Sequence, residues 1–313
     1  MDLSAAAIAP RGAGTQWEVG GPAPAGAMIV TATEGVIAYE PRDLTITVGA
    51  AISFAELDQV LAEQGQECAL DPRERTSTIG GILACGLSGL RRLRHGPLRD
   101  HVLEVRMHLA DGRMIKGGGP TVKNVTGYDI PRLFVGSLGT LGVLLQTTLR
   151  CQPRSRASQW FEVPAGRSFY RPSARVWDGR VEHVLLEGRA VDVRSQSDGL
   201  TEVAAPQLPG GAHRGRISVA PAQARAVVQA LDDDVRALAE LGVGTVHVAA
   251  DSSDALARAR AVATSFGGWM LREAGGDPRD DGFGCTLPNR ALMQRIKHAF
   301  DPDVRMNPGR LPL

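Results

Sequence analysis

Residues 123–144 read KNVTGYDIPRLFVGSLGTLGVL. Gly136, Gly139 and Gly142 alternate there with Ser137 and Thr140, and Val143 follows directly. The stretch leads straight into residues 141–149, which read as a strand closed by Cys151-Gln152-Pro153. Just upstream stands Gly117-Gly118-Gly119, and Lys123 and Asp129 suggest a local ion pair that fixes the loop. None of this is a G-x-G-x-x-G turn between a strand and a helix, and no G-x-x-x-x-G-K-[ST] exists in the chain. A Rossmann site and a P-loop are therefore not indicated.

Two more glycine-rich segments lie towards the N-terminus. The first is Pro10-Arg11-Gly12-Ala13-Gly14-Thr15. Successive small residues let backbone N–H groups converge in a nest for phosphate oxygens; the plain alternative is a surface loop. The second is Thr76-Ser77-Thr78-Ile79-Gly80-Gly81, which runs into Ala84-Cys85-Gly86-Leu87-Ser88-Gly89. Hydroxyls and bare backbone alternate here, so donors can approach a pyrophosphate or an aromatic ring edge closely. Its alternative is a tight contact between helices. Glycine is the compositional outlier, 37 of 313 residues, about 12% against a usual ~7%.

Periodicity supplies the elements around these loops. Residues 28–30 and 35–39 read as short strands, and 44–48 as a strand by β-branched content. Ser53 and Glu56 form a capping box ahead of the stripe Leu57, Val60, Leu61, with Gly65 at the C′ position. Along 102–109, Leu103, Val105, Met107 and Leu109 share one face, and Asp111-Gly112 turns the chain into a return strand at Met114 and Ile115. Beyond Pro153, strands are expected at 181–186, 216–219, 245–249 and 269–271. Helices are expected at 222–241, through Val227, Val228, Leu231, Val235, Leu238 and Leu241, and at 253–266, closed by Gly267-Gly268. That alternation suits a two-layer, ferredoxin-like cap. A last helix at 289–300 ends at Asp301-Pro302. The expected domains are 1–152, a cap at 153–287, and a C-terminal helix and tail at 288–313 that return to the first domain; no internal repeats are visible.

Composition limits the function classes. Apolar residues are 43% and charged residues 22%, ordinary for a globular protein. The net charge of +1 gives no electrostatic reason to expect nucleic acid or an anionic membrane. Cys68, Cys85, Cys151 and Cys285 form no C-x-x-C pair, so no iron–sulfur cluster or zinc ribbon is expected in this chain. Their wide spacing reads as reduced cytosolic thiols. The N-terminus lacks the features of a signal peptide, and no run of about 18 apolar residues is present to span a membrane.

The order of the glycine segments resembles the PCMH-type FAD-binding domain of the vanillyl-alcohol oxidase superfamily. Residues 123–144, with STIGGILACGLSGLRRLRHG at 77–96, resemble the E-type FAD-binding subunits of glycolate oxidase (glycolate dehydrogenase) complexes. Phe300-Asp301-Pro302 and Asn307-Pro308-Gly309-Arg310 match the ending of that group. The resemblance implies an α+β fold of two α/β subdomains followed by the cap. It implies that Pro10–Thr15 and Thr76–Gly81 wrap the FAD pyrophosphate and that the segment with Cys85, Gly86 and Ser88 lies near the flavin. Gly139, Gly142 and Val143 would contact the adenine end, and Arg310 would pair with a substrate carboxylate or the reduced flavin. Covalent relatives often carry a His at the end of the first loop; Gly14-Thr15-Gln16 stands here, so FAD is expected to be non-covalent.

The chain departs from that pattern in two places. Family domains begin with a further strand and helix, whereas nine residues precede Pro10 here, which reads as an N-terminally shortened domain. The cap also lacks the His-x-His metal motif of related D-type subunits; His183, His213 and His247 are isolated and read as structural. No metal site is expected and no catalytic base is assigned. Arg91, Arg92, Arg94, His95 and Arg99 form a basic cluster that reads as a solvated loop, a docking surface for an acidic partner, or a neutraliser of the FAD phosphates. The resemblance therefore implies an FAD subunit that takes part in oxidising glycolate, or a related 2-hydroxy acid, to glyoxylate. Its expected partners are a D-type flavin subunit and an iron–sulfur subunit, and its expected location is cytoplasmic, peripheral to the inner membrane only through partners. The alternatives are a non-catalytic assembly subunit that has lost FAD, and a stand-alone FAD oxidoreductase of another substrate.

Overall fold

The computed structural model describes residues 3–119, 128–164, 166–277 and 279–313. The chain forms two compact units, one of Met1–Ser88, Pro97–Arg154 and Thr286–Leu313, the other of Gly89–Gly96 and Ser155–Cys285.

The first unit opens with a parallel pair, β1 (Ile8–Pro10) and β2 (Met28–Val30). Next come β3 (Val36–Glu40), β4 (Thr45–Gly49), α1 (Phe54–Ala62), β5 (Gln66–Glu67) and α2 (Ile79–Cys85). The short α3 (Arg92–His95) belongs to the second unit. The first unit resumes with β6 (Val102–His108), β7 (Met114–Gly118), α4 (Ile130–Phe134), β8 (Val143–Arg150) and β9 (Gln152–Pro153). β3-β4-β8-β6-β7 is a five-stranded antiparallel sheet. Its register follows side-chain chemistry. Ile46 and Val48 of β4 are fully buried, while Thr47 turns the other way to meet the Thr148 hydroxyl at 2.8 Å. On β6, Val105 and Met107 are fully buried as their alternation requires. Bulges opposite β8 break the pattern at both ends of β6, and Glu104 is buried too, paired to Lys116 at 2.9 Å and Arg106 at 3.3 Å.

The capping box is present in full: Ser53 Oγ accepts from the Glu56 amide at 3.2 Å, and Glu56 Oε2 accepts from the Ser53 amide at 2.9 Å. It starts α1, whose Phe54, Leu57 and Leu61 join Ile79, Ile82 and Leu83 of α2 in the core. The Asp111-Gly112 turn also forms, with Leu109 N–H bonded to Arg113 O at 2.9 Å.

The second unit carries β10 (Ala157–Val163), β11 (Ala174–Trp177), β12 (Glu182–Gly188), α5 (Ala190–Gln196), β13 (Thr201–Val203), β14 (His213–Ser218), α6 (Ala224–Ala230), β15 (Arg236–Glu240), β16 (Thr245–Ala250), α7 (Ser253–Ser265) and β17 (Trp269–Ala274). All eight strands form one antiparallel sheet, β13-β10-β12-β11-β15-β16-β14-β17. The run β14-α6-β15-β16-α7-β17 has the ferredoxin-like strand order expected from the sequence. The run β10-β11-β12-α5-β13 repeats that order without the first helix, and β11 joins β15 edge to edge. The cap is thus two related halves in one sheet.

One expected helix is corrected. Residues 222–241 are not a single helix: α6 stops at Ala230, Leu231 is extended, and β15 follows. Asp232-Asp233-Asp234 interrupts the apolar stripe, and three adjacent carboxylates disfavour helix continuation. Asp232 and Asp234 instead grip Arg258 of α7 at 2.6 and 2.7 Å. Val235 and Leu238 fit a 3.6-residue period and a strand face equally well over so short a run.

The chain then rejoins the first unit through α8 (Arg290–Phe300) and the tail. Asn307 N–H bonds to Ile8 O at 2.7 Å and Ile8 N–H to Arg305 O at 2.8 Å, so the tail lies alongside β1.

Candidate functional site

A cleft of about 820 Å³, counted to its open mouth, lies within the first unit. The loop after β1, the start of α2, the turn before β8 and the tail converge on it. Of the segments singled out in the sequence, Pro10, Arg11, Gly12, Ala13, Gly14 and Thr15 all line it, as do Thr78, Gly80, Gly81, Cys85, Gly139, Gly142, Val143 and Arg310.

The first loop is built to meet an anion. Arg11 N–H is bonded to Val30 O at 2.9 Å, and Trp17 N–H turns back to Gly14 O at 3.1 Å. Between them, the amides of residues 12–16 have no hydrogen-bond partner among the described residues. Successive free N–H groups on glycine-rich backbone form an anion cradle. Gly12 is required for close packing: a Cβ there would fall 2.0 Å from Thr78 Oγ1. Thr78 is the N-cap of α2 and accepts the Gly81 amide at 3.3 Å. Thr15 reaches Ser77, hydroxyl to hydroxyl, at 2.7 Å, tying the first loop to the second. The guanidinium of Arg11 lies 5.1 Å over the Trp17 ring and brings positive charge beside the loop.

Five sequence candidates do not reach the cleft wall. Thr76 is exposed outside it, and Ser77 stands behind Thr15. Ile79 is fully buried in the core. Gly86 is the left-handed cap of α2, and Ser88 accepts the Leu98 amide at 3.3 Å. The amides of Ile79 and Gly80 are held by Ile52 O and Ala50 O. The donors open to a phosphate are therefore those of the first loop.

Arg310 lines the cleft but not in the expected role. It is 4% exposed, and its guanidinium donates to the carbonyls of Trp17, Val19 and Gly21 while lying 4.8 Å over the Trp17 ring. It fastens the first loop.

The sequence reading missed the apolar part of the wall, which includes Trp17, Val30, Ala32, Phe134 and Leu138. It also missed Asn307, whose Nδ2 donates to Leu138 O at 2.6 Å. Among the described residues, no His, Asp, Glu, Lys or Tyr lines the cleft.

The other motifs fall elsewhere. Gly117 packs under α4, where a Cβ would come within 2.4 Å of Ile130 Cβ. Lys123 lies outside the described residues; Asp129 caps α4 and pairs with Arg132 at 3.3 Å. Arg91, Arg94 and His95 belong to the second unit and gather around Glu187. Burial would raise the Glu187 pKa, but His95, Arg91 and the hydroxyls of Ser173 and Ser158 outweigh it and hold it down at about 2. His247 Nε2 lies 2.9 Å from Glu240 Oε1, both buried, and His213 Nδ1 accepts the Gly276 amide at 2.7 Å. Among the described residues, no group of His, Cys, Asp and Glu could hold a metal ion.

Residues 4–118 match the FAD-binding domain family. That match, to a domain that holds FAD, spans less than half of the chain. The loops of the cleft fit FAD: free amides for the pyrophosphate and apolar walls for the rings. Over 150 residues the chain is 36% identical to glycolate oxidase subunit GlcE of Escherichia coli (strain K12), covering 47% of this chain and 43% of the relative. It is 36% identical over 156 residues to a D-lactate dehydrogenase of Archaeoglobus fulgidus (49% and 35%) and 34% identical over 151 residues to glycolate oxidase subunit GlcD of Bacillus subtilis strain 168 (47% and 32%). The matches cover less than half of each relative's length. Among solved structures, an alkyldihydroxyacetonephosphate synthase superposes with a TM-score of 0.65 at 14% identity, over 96% of this chain and 71% of that one. The chain therefore shares the fold of that structure, a mixed α/β fold as the resemblance implied.

Proposed function

We propose that this chain is the FAD-carrying subunit of a 2-hydroxy-acid oxidoreductase of the glycolate-oxidising class. The observation that carries this reading is the run of amides at 12–16 without a partner among the described residues, in a cleft with a largely apolar wall. Relatives named as glycolate oxidase subunits and D-lactate dehydrogenases support the substrate class. When bound, FAD supplies a two-electron acceptor for hydride from the hydroxyl-bearing carbon. The residues of the cleft hold and shield it. The amides of 12–16 take the pyrophosphate charge, Arg11 adds a cation, and Val30, Ala32 and Phe134 keep water from the rings. Thr15 offers no ring nitrogen to the flavin, and its hydroxyl is engaged with Ser77, so binding is non-covalent.

Among the described residues, the cleft wall provides no His, Asp, Glu, Lys or Tyr to accept the proton of the substrate hydroxyl. That favours a subunit working with a D-type flavin partner and an iron–sulfur partner over a stand-alone oxidase. No helix among the described residues is long and apolar enough to cross a membrane; we place the protein in the cytoplasm, at a membrane only through its partners. The test is a reconstitution. The purified chain is mixed with FAD, desalted and scanned, and flavin bands near ~450 nm that denaturation releases in full are expected. Glycolate and D-lactate are then added to the chain alone and with its partner subunits, and bleaching is expected only in the assembled mixture. A chain that takes up no flavin reduces the proposal to an assembly role, and bleaching of the isolated chain favours a stand-alone enzyme.

A further inference from the structure

A second cavity, about 750 Å³ counted to its open mouth, lies wholly within the second unit and shares no lining residue with the first cleft. Arg94 of α3, Arg171 on the β10–β11 connection and Arg175 of β11 line it, with Leu93, Phe169 and Leu241 as apolar surface. Among the described residues, no carboxylate lines it.

The three guanidiniums are held differently. Arg94 is fixed: it donates to Glu187 O at 2.6 Å and to Ser173 Oγ at 3.3 Å. Arg175 donates to Glu182 Oε1 through both Nε, at 2.8 Å, and Nη2, and Arg225 claims the other oxygen of the same carboxylate. One acid therefore serves two bases, and positive charge remains. Arg171 is exposed and has no partner among the described residues, and its backbone is left-handed at φ 48°. A non-glycine residue in that region is strained, and such strain is kept where surrounding structure enforces it.

We infer that this cavity is a binding site for a small organic anion. A carboxylate or phosphate head is held by Arg171 and the uncompensated charge of Arg175 beside Arg94. An apolar or aromatic body lies against Phe169, Leu93 and Leu241. Guanidinium forks match both head groups, so the head chemistry is shared between them.

The experiment is isothermal titration of the full chain in excess FAD at low ionic strength, with phenyl phosphate, benzoate and benzyl alcohol as probes. At least one of the two anions is expected to bind one per chain, weakening as salt is added, while benzyl alcohol does not bind. Arg171→Gly should weaken the anion by tenfold or more, and its melting temperature should not fall, because glycine relieves the left-handed backbone. Arg171→Lys should retain part of the affinity. The inference is overturned if neither anion binds the wild-type chain, or if Arg171→Gly binds as well as wild type. Excess FAD fills the flavin cleft, so loss at Arg171 cannot be mistaken for loss at the first loop.

Discussion

At the scale of single residues, Gly12 and Arg310 show what a sequence does and does not disclose. Gly12 is legible: small residues in succession announce a backbone that something approaches closely, and here that neighbour is Thr78 Oγ1. Gly12→Ala should push the loop or the α2 cap aside and weaken FAD by tenfold or more, read as the quenching of flavin fluorescence on titration. Arg310 is legible as a position but not as a role. Its acceptors are three backbone carbonyls nearly three hundred residues away in sequence, and a carbonyl has no side-chain signature. Arg310→Met should leave those buried acceptors unpaired, at about 1–3 kcal/mol each before relaxation. A lower urea midpoint and weaker FAD binding are expected together. Arg310→Lys should recover only part, since an ammonium cannot serve the same planar fork.

At the scale of elements, what could be read was local and what could not was relational. The Ser53–Glu56 box lies within four residues and formed as expected. The division of α6 from β15 depended on Arg258, a partner on another helix. The second ferredoxin-like half escaped because topology needs only alternation and turns, not repeated residues. The basic α3 also changes meaning in place: it is anchored to β12 through Glu187. Glu187 is 5% exposed, and its folded pKa of about 2 lies below the ordinary 4.5. A depressed carboxylate stabilises the fold fully above 4.5, and that contribution is lost as pH falls from 4.5 towards 2. The displacement corresponds to roughly 3 kcal/mol. Glu187→Gln should therefore lower stability at pH 7 by a comparable amount and flatten the acid limb. Urea melts at pH 7, 4 and 3 check this: the gap between variant and wild type must narrow as pH falls.

At the scale of the whole molecule, the tail decides whether the first unit holds its cleft. Lys297 Nζ donates to Asp301 at 2.5 Å, Thr140 O at 2.7 Å and Met306 O at 3.0 Å, and Asp301 accepts the Met306 amide at 2.7 Å. Both side chains are buried; burial pulls the Lys297 pKa down while Asp301 opposes the fall. A pair like this adds little net stability as a unit, but removing one member leaves a buried charge, at about 3–5 kcal/mol. Downstream of the pair, Asn307 holds Leu138 O and Arg310 holds the first loop. The sequence motif Phe300-Asp301-Pro302 thus marks a lock whose effect is felt at residues 12–16. Lys297→Met should cost several kcal/mol and loosen FAD, although the groups its ammonium bonds, on Thr140, Asp301 and Met306, belong to residues outside the cleft wall. Lys297→Met with Asp301→Asn should cost less than the two singles added, by about 1 kcal/mol or more. Hydrogen exchange separates this from general unfolding. In Lys297→Met, peptides from 130–150 and 300–313 should lose protection, while those from 245–274, which belong to a different core, should keep theirs. Equal loss in both would mean that the lock serves the whole chain and not the flavin cleft.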